Sequence, residues 1–164
     1  MQKDQTREKI KRLLLYALYM FLALTTQEIV LSGIRIGGIC AMVLPAVAVA
    51  VGMFEGATFG AVFSLIMGIF ADMIFVESTV LFTLLFPALA FAAGFFSQFF
   101  INRSFFSFMI AALLGLLVTG GIQMIRVLAI SGWTFRLITT AVSQAVLSLP
   151  VAVLAYFPPA KWIS

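Results

Sequence analysis

The stretch Gly56-Ala57-Thr58-Phe59-Gly60-Ala61-Val62-Phe63-Ser64-Leu65-Ile66-Met67-Gly68-Ile69-Phe70-Ala71-Asp72 decides how this chain is read. Gly56, Gly60, Ser64, Gly68 and Asp72 recur every fourth residue. On a helix, that spacing forms one ridge along a single face. Glycines and a serine on the ridge let another helix backbone come close, the small-xxx-small packing of membrane helices. The ridge therefore predicts helix packing or partner docking. It ends in a carboxylate, and an acid in an apolar span is a functional candidate by default. Asp72 falls near a helix end, so a structural role competes with a chemical one.

The whole chain shares this apolar character. It has 164 residues, 63% of them hydrophobic and 10% charged, and a mean hydropathy of +1.18. A soluble domain of this size has too little interior to hide so much apolar surface. The composition predicts an all-α, polytopic integral membrane protein. The net charge of +4 is concentrated in the first twelve residues. It reports orientation in a membrane and lends no support to nucleic-acid binding. With no histidine and a single cysteine, Cys40, an intrachain disulfide is excluded and a His/Cys metal site has no ligands. Cys40 lies in an apolar run and reads as a small buried hydrophobe.

Residues 1–12 form a basic lead with Lys3, Arg7, Lys9, Lys11 and Arg12, suited to the cytoplasmic surface and anionic lipid. Residues 13–164 form the transmembrane domain. Six spans are expected at about 11–31, 39–54, 57–76, 80–100, 105–130 and 134–157, since roughly 20 apolar residues cross the hydrocarbon. Pro45 kinks or starts the short second span. Six spans put both termini on one side. Lys3, Arg7, Lys9, Lys11, Arg12, Arg103 and Lys161 fall on that side, against Arg35, Arg126 and Arg136 on the other. This bias predicts that both termini lie in the cytoplasm.

Few residues remain for chemistry. Without histidine there is no Ser/His/Asp set, and no phosphate-binding glycine loop is present. Arg126 can snorkel to the outer interface or pair with Asp72 inside the membrane. Gln27, Gln98, Gln123 and Gln144 are isolated polar residues in or near apolar spans. Each can form an interhelical hydrogen bond worth about 1 kcal/mol. The run from Phe95 to Phe108 reads as lipid-facing packing. No catalytic residue, cofactor or metal is expected.

A basic N-terminus, an apolar first helix ending in Gln27, and the run Glu55-Gly56-x3-Gly60-x7-Gly68-Ile69-Phe70-Ala71-Asp72 resemble the MreD family of bacterial rod shape-determining membrane proteins. The layout resembles the family over nearly the whole chain, and the specific motif covers about residues 55–72. The resemblance implies six helices arranged as in the substrate-binding S components of energy-coupling-factor vitamin transporters. It also implies a non-enzymatic scaffold of cell-wall, peptidoglycan-elongating machinery. The implied partners are an MreC-like membrane protein, the MreB filament, the RodA glycosyltransferase, its transpeptidase and membrane lipids.

Two other classes compete. An S component would share the size, span count and lack of enzyme motifs, but the predicted outer loops are short and offer few polar groups to orient a vitamin. A lipid-modifying membrane enzyme would have to rely on Asp72 with Arg126.

Overall fold

The computed structural model describes residues 2–31, 35–36, 39–74, 80–99, 104–131 and 135–157. Among the described residues, the protein is all-α apart from one two-residue strand pair. Six α-helices follow in order: α1 (Gln2–Thr25), α2 (Leu44–Glu55), α3 (Ala57–Ile74), α4 (Leu81–Phe99), α5 (Phe105–Ser131) and α6 (Phe135–Ala155). A π-helical turn, Thr26–Leu31, extends α1. Strands β1 (Arg35–Ile36) and β2 (Ile39–Cys40) pair antiparallel before α2. Among the described residues, three helices are long and apolar enough to cross a membrane by length and composition, over Ala57–Ile74, Leu81–Gln98 and Phe105–Ile125. The chain is a helical membrane protein.

Element positions differ instructively from the expected spans. The basic lead is not separate: helix runs unbroken from Gln2 into the apolar part of α1. The second helix starts at Leu44, five residues later than the span expected at about 39–54. Pro45 stands in its first turn, where the missing amide hydrogen costs nothing. At twelve residues, α2 is about 18 Å long, well short of the ~30 Å hydrocarbon core. Cys40 lies on β2 and its side chain, like that of Arg35, is outside the described residues.

This short helix is the centre of the fold. Every residue from Leu44 to Met53 is buried, as expected of a helix that is apolar on all sides. Helices α3 and α4 pack on one flank of α2, and α5 and α6 on the other. The alternating Ala and Val of α2 keep its girth small. The flanking helices are pulled in further by glycines. A Cβ at Gly52 would meet the Ala90 backbone of α4 within 3.0 Å, and one at Gly60 of α3 would meet the Gly52 backbone within the same distance. A Cβ at Gly94 would lie 2.5 Å from the backbone of Ala57. Helices α2, α3 and α4 thus touch backbone to backbone. Gly56 makes the turn from α2 to α3 with φ at +99°, a conformation that favours glycine.

Helix α1 lies against this core through aromatic edges. Tyr16 packs on Phe59 and Phe63 with ring centroids 5.1 and 5.8 Å apart. Tyr19 donates a hydrogen bond to the Ala155 carbonyl of α6 at 3.1 Å. A second aromatic group closes the end of the bundle formed by α2, α5 and α6. Phe108 is fully buried and sits 5.4 Å from the ring of Tyr156, which also packs on Phe54. The Phe-rich run is therefore split. Phe95, Phe96, Phe105 and Phe106 are exposed on the apolar flank, whereas Phe108 belongs to the core.

Candidate functional site

Three polar clusters and two apolar grooves are the features that could carry function. The first cluster is built by the predicted ridge and its terminal acid. Gly60, Ser64 and Gly68 all face inward and are buried. A Cβ at Gly68 would come 2.5 Å from the Phe82 carbonyl oxygen of α4. The ridge thus meets α2 at Gly60 and α4 at Gly68, and Gly56 forms the turn at its foot. It faces the bundle interior, not a free outer surface. The Ser64 hydroxyl is buried with no hydrogen-bond partner among the described residues.

Asp72 continues the same face and reaches the first turn of α4. Its carboxylate accepts the amide hydrogens of Phe82 at 3.1 Å and Thr83 at 2.8 Å, and the Thr83 hydroxyl at 2.6 Å. The first amides of a helix have no intrahelical acceptor, and a carboxylate there also meets the positive end of the helix dipole. Asp72 is thus an N-terminal cap supplied by the neighbouring helix. The chain reaches α4 through Val80, whose φ is +54°, a strained conformation for a β-branched residue. The grip of Asp72 on the next turn helps hold it. The Arg126 side chain lies outside the described residues, as does Glu77. We expect Asp72→Ala to cost about 1–2 kcal/mol and Asp72→Asn only a few tenths, because Asn also caps well. Thermal melting in mild detergent measures both. An equal, large loss in the two variants would contradict a capping role.

The second cluster lies where the chain enters α2. Residues 41–43 are not helical, so their peptide groups need partners from elsewhere. Gln27, in the π-helical turn, donates from Nε2 to the Ala41 carbonyl at 3.1 Å. Its Oε1 accepts the Val43 amide hydrogen at 2.8 Å. The Ser148 hydroxyl of α6 accepts the Met42 amide hydrogen at 2.8 Å and itself donates to the Gln144 carbonyl at 2.6 Å. Gln123 of α5 places Nε2 3.5 Å from the Met42 sulfur. Side chains from two elements, the π-helical turn and α6, thus complete the backbone of one short irregular segment, and α5 adds a contact to its Met42 side chain. Gln98 stands apart, exposed at the far end of α4 near Gly56.

The third cluster ties α1 to the end of α2. The Glu55 carboxylate accepts hydrogen bonds from the Arg12 guanidinium and the Tyr16 hydroxyl. The Glu55 side chain is only 5% exposed, while Arg12 is 53% exposed. Glu55 is the last residue of α2, where the helix dipole disfavours negative charge. The guanidinium and the phenol offset that cost. In the sequence Glu55 reads only as a turn residue. The available signal is Arg12 and Tyr16 at i, i+4 on α1, one face aimed at the end of a helix. Arg12→Gln is expected to cost about 1 kcal/mol, the exposed-pair range because Arg12 is half in solvent. On a chain of this size that is about 2–4 °C in the melting temperature. An unchanged melting temperature would show that Tyr16 alone holds the carboxylate.

The two grooves lie on the flanks. One, about 420 Å³, separates α4 from α5 over a floor of Val49 and Met53 from α2. Its walls carry Ala93 and Ser97 on one side and Ser107, Ala111 and Gly115 on the other. Ser97 spends its hydroxyl on the Gly94 carbonyl at 2.9 Å and the Met53 carbonyl at 3.2 Å. The other groove, about 440 Å³, lies between α1 with its π-helical turn and α3. Among the described residues, no group of three or more Cys, Asp or Glu side chains is placed to hold a metal ion.

Against known proteins, no family model, no curated protein and no solved structure matches the chain.

Proposed function

We propose that this protein is a non-enzymatic membrane scaffold of the MreD type, acting in the cell-wall elongation machinery that sets rod shape. It would sit in the bacterial plasma membrane with both termini in the cytoplasm, and bind an MreC-like membrane protein alongside MreB, RodA and a transpeptidase. The observation that carries this proposal is how the polar side chains are used. Asp72, Gln27, Ser148, Ser97 and Tyr19 each bond a backbone group of this same chain. They hold the bundle together, which leaves its flanks as the surfaces for contact. One described connection is as short as it can be: Gly56 alone joins α2 to α3. Segments of that length support contact through the helices themselves.

An S component would instead orient a vitamin with convergent polar groups in a concave site. The two described grooves are lined mainly by apolar side chains and open on the flanks. Depletion of the protein in its native bacterium tests the scaffold proposal. Rods should round up and regain shape when the chain is re-expressed. Rods that persist through complete depletion would contradict it.

A further inference from the structure

Helix α1 carries two seams on opposite faces. Tyr16, Tyr19 and Ala23 are buried against the bundle, and Arg12, one turn before Tyr16, pairs with Glu55. On the other face Leu14, Leu18 and Phe21 are exposed. Followed toward the N-terminus in the same steps of three and four residues, this outer seam reaches Lys11 and Arg7, since residues so spaced share one helix face. Both are exposed, and neither has an ion-pair or hydrogen-bond partner among the described residues. Glu8 stands one turn before Arg12, toward the bundle side, and Lys9, two residues from each seam cation, lies about 160° around the helix from them. The depths match a lipid. Helix α3 has eighteen residues, about 27 Å against a hydrocarbon core of ~30 Å, so its first residue, Ala57, marks one membrane edge. Arg12 meets Glu55 at that edge. Lys11 and Arg7 lie farther out by about 1.5 and 7.5 Å along the helix, within a headgroup layer about 5–7.5 Å thick. Inward, Phe21 is about 13.5 Å from Arg12, inside a leaflet about 15 Å deep. Any tilt of α1 shortens these depths and keeps both groups in their layers.

We propose that the outer seam of α1 is a binding site for one phospholipid of net negative charge. Its phosphate lies between Arg7 and Lys11, one helical turn apart, and an acyl chain follows Leu14, Leu18 and Phe21. Charge complementarity decides the class. Both cations form charge-assisted hydrogen bonds to phosphate oxygens. An ethanolamine lipid brings an ammonium group of its own, which the same two cations repel. The site differs from a basic segment that draws any anionic surface, because it uses Arg7 and Lys11 and leaves Lys9 out. It is independent of the scaffold role proposed above.

The protein is reconstituted into vesicles of equimolar phosphatidylglycerol and phosphatidylethanolamine, re-extracted in mild detergent, and its retained lipids are weighed by native mass spectrometry. The glycerol lipid should exceed the ethanolamine lipid by about twenty-fold, at about five-fold for each cation near an anionic headgroup. Arg7→Gln and Lys11→Gln should each lower the ratio about five-fold, and the double variant should bring it to about one. Lys9→Gln removes the same charge off the seam and should change the ratio by less than about two-fold. Melting temperatures should match wild type in all four variants. A wild-type ratio near one would overturn the proposal. An equal fall in Lys9→Gln and Arg7→Gln would overturn it too, by showing a diffuse basic surface. A photoreactive residue in place of Leu18 in native membranes should give lipid adducts. Adducts to another protein or to a second copy of the chain would show that a helix covers the seam, and would overturn it equally.

Discussion

Gly60→Leu should be the largest single loss of stability, about 3 kcal/mol or more. Inserting bulk into a packed core costs about 1–3 kcal/mol when neighbours can shift. Here the neighbour is the backbone of Gly52, which is itself pressed against the backbone of Ala90. No flexible side chain stands between them to give way. Gly60→Ala should already show much of the effect, because the first carbon added is the one that collides. Gly68→Leu should behave alike, since its Cβ would meet the Phe82 carbonyl at the turn that Asp72 caps. Gly121 is the matched control. A Cβ there meets nothing within 4 Å, so Gly121→Ala should be neutral or stabilise by about 0.5–1 kcal/mol through helix propensity. Melting temperatures in mild detergent should fall by about 10 °C for Gly60→Leu, at a few degrees per kcal/mol. Equal stability of Gly60→Leu and Gly121→Ala would remove the close approach of α2, α3 and α4 from the fold.

Gln27→Leu should be the second largest loss, about 2–3 kcal/mol. Interhelical side-chain bonds in membranes average only about 0.6 kcal/mol, because the unfolded chain also finds partners. Gln27 differs in what it leaves behind. Its loss strands the Ala41 carbonyl and the Val43 amide hydrogen together, and a buried backbone group without a partner costs about 1–3 kcal/mol. Ser148→Ala strands only the Met42 amide hydrogen, so it should cost about half as much. Hydrogen exchange offers a local check, with the Val43 amide exchanging faster in Gln27→Leu. A melting temperature within a degree or two of wild type would show that residues 41–43 find other partners.

Much of this fold was readable from the chain. Long apolar runs broken by Gly, Ser and Asn clusters placed α3 to α6 within two residues at nearly every boundary, because hydropathy and turn chemistry are local. The four-residue period of Gly60, Ser64 and Gly68 pointed to one close-packed face, and the glycines do meet backbone. The face of α2 that receives them was harder to see, since Gly52 and Gly94 stand alone in their helices and carry no period. Residues 39–43 looked like the start of a span because Ile39, Cys40, Ala41, Met42 and Val43 are all apolar. What ends the helix there is outside that segment: a glutamine fourteen residues earlier and a serine on the last helix stand ready to satisfy a non-helical backbone. Glu55 was obscured in the same way. Its partners Arg12 and Tyr16 are about forty residues away, and its place beside Gly56 suggested only a turn. Local periodicity carried the elements, and the polar bonds between distant elements were the part that it could not carry.

The most direct test of the proposed scaffold is recovery of the tagged protein from its native membranes in a gentle detergent, with mass spectrometry of what accompanies it. A scaffold of the elongation machinery should bring an MreC-like membrane protein and cell-wall synthases. Recovery instead of a coupling membrane subunit with paired ATPases, or of a bound vitamin, would contradict the scaffold and identify a transport module.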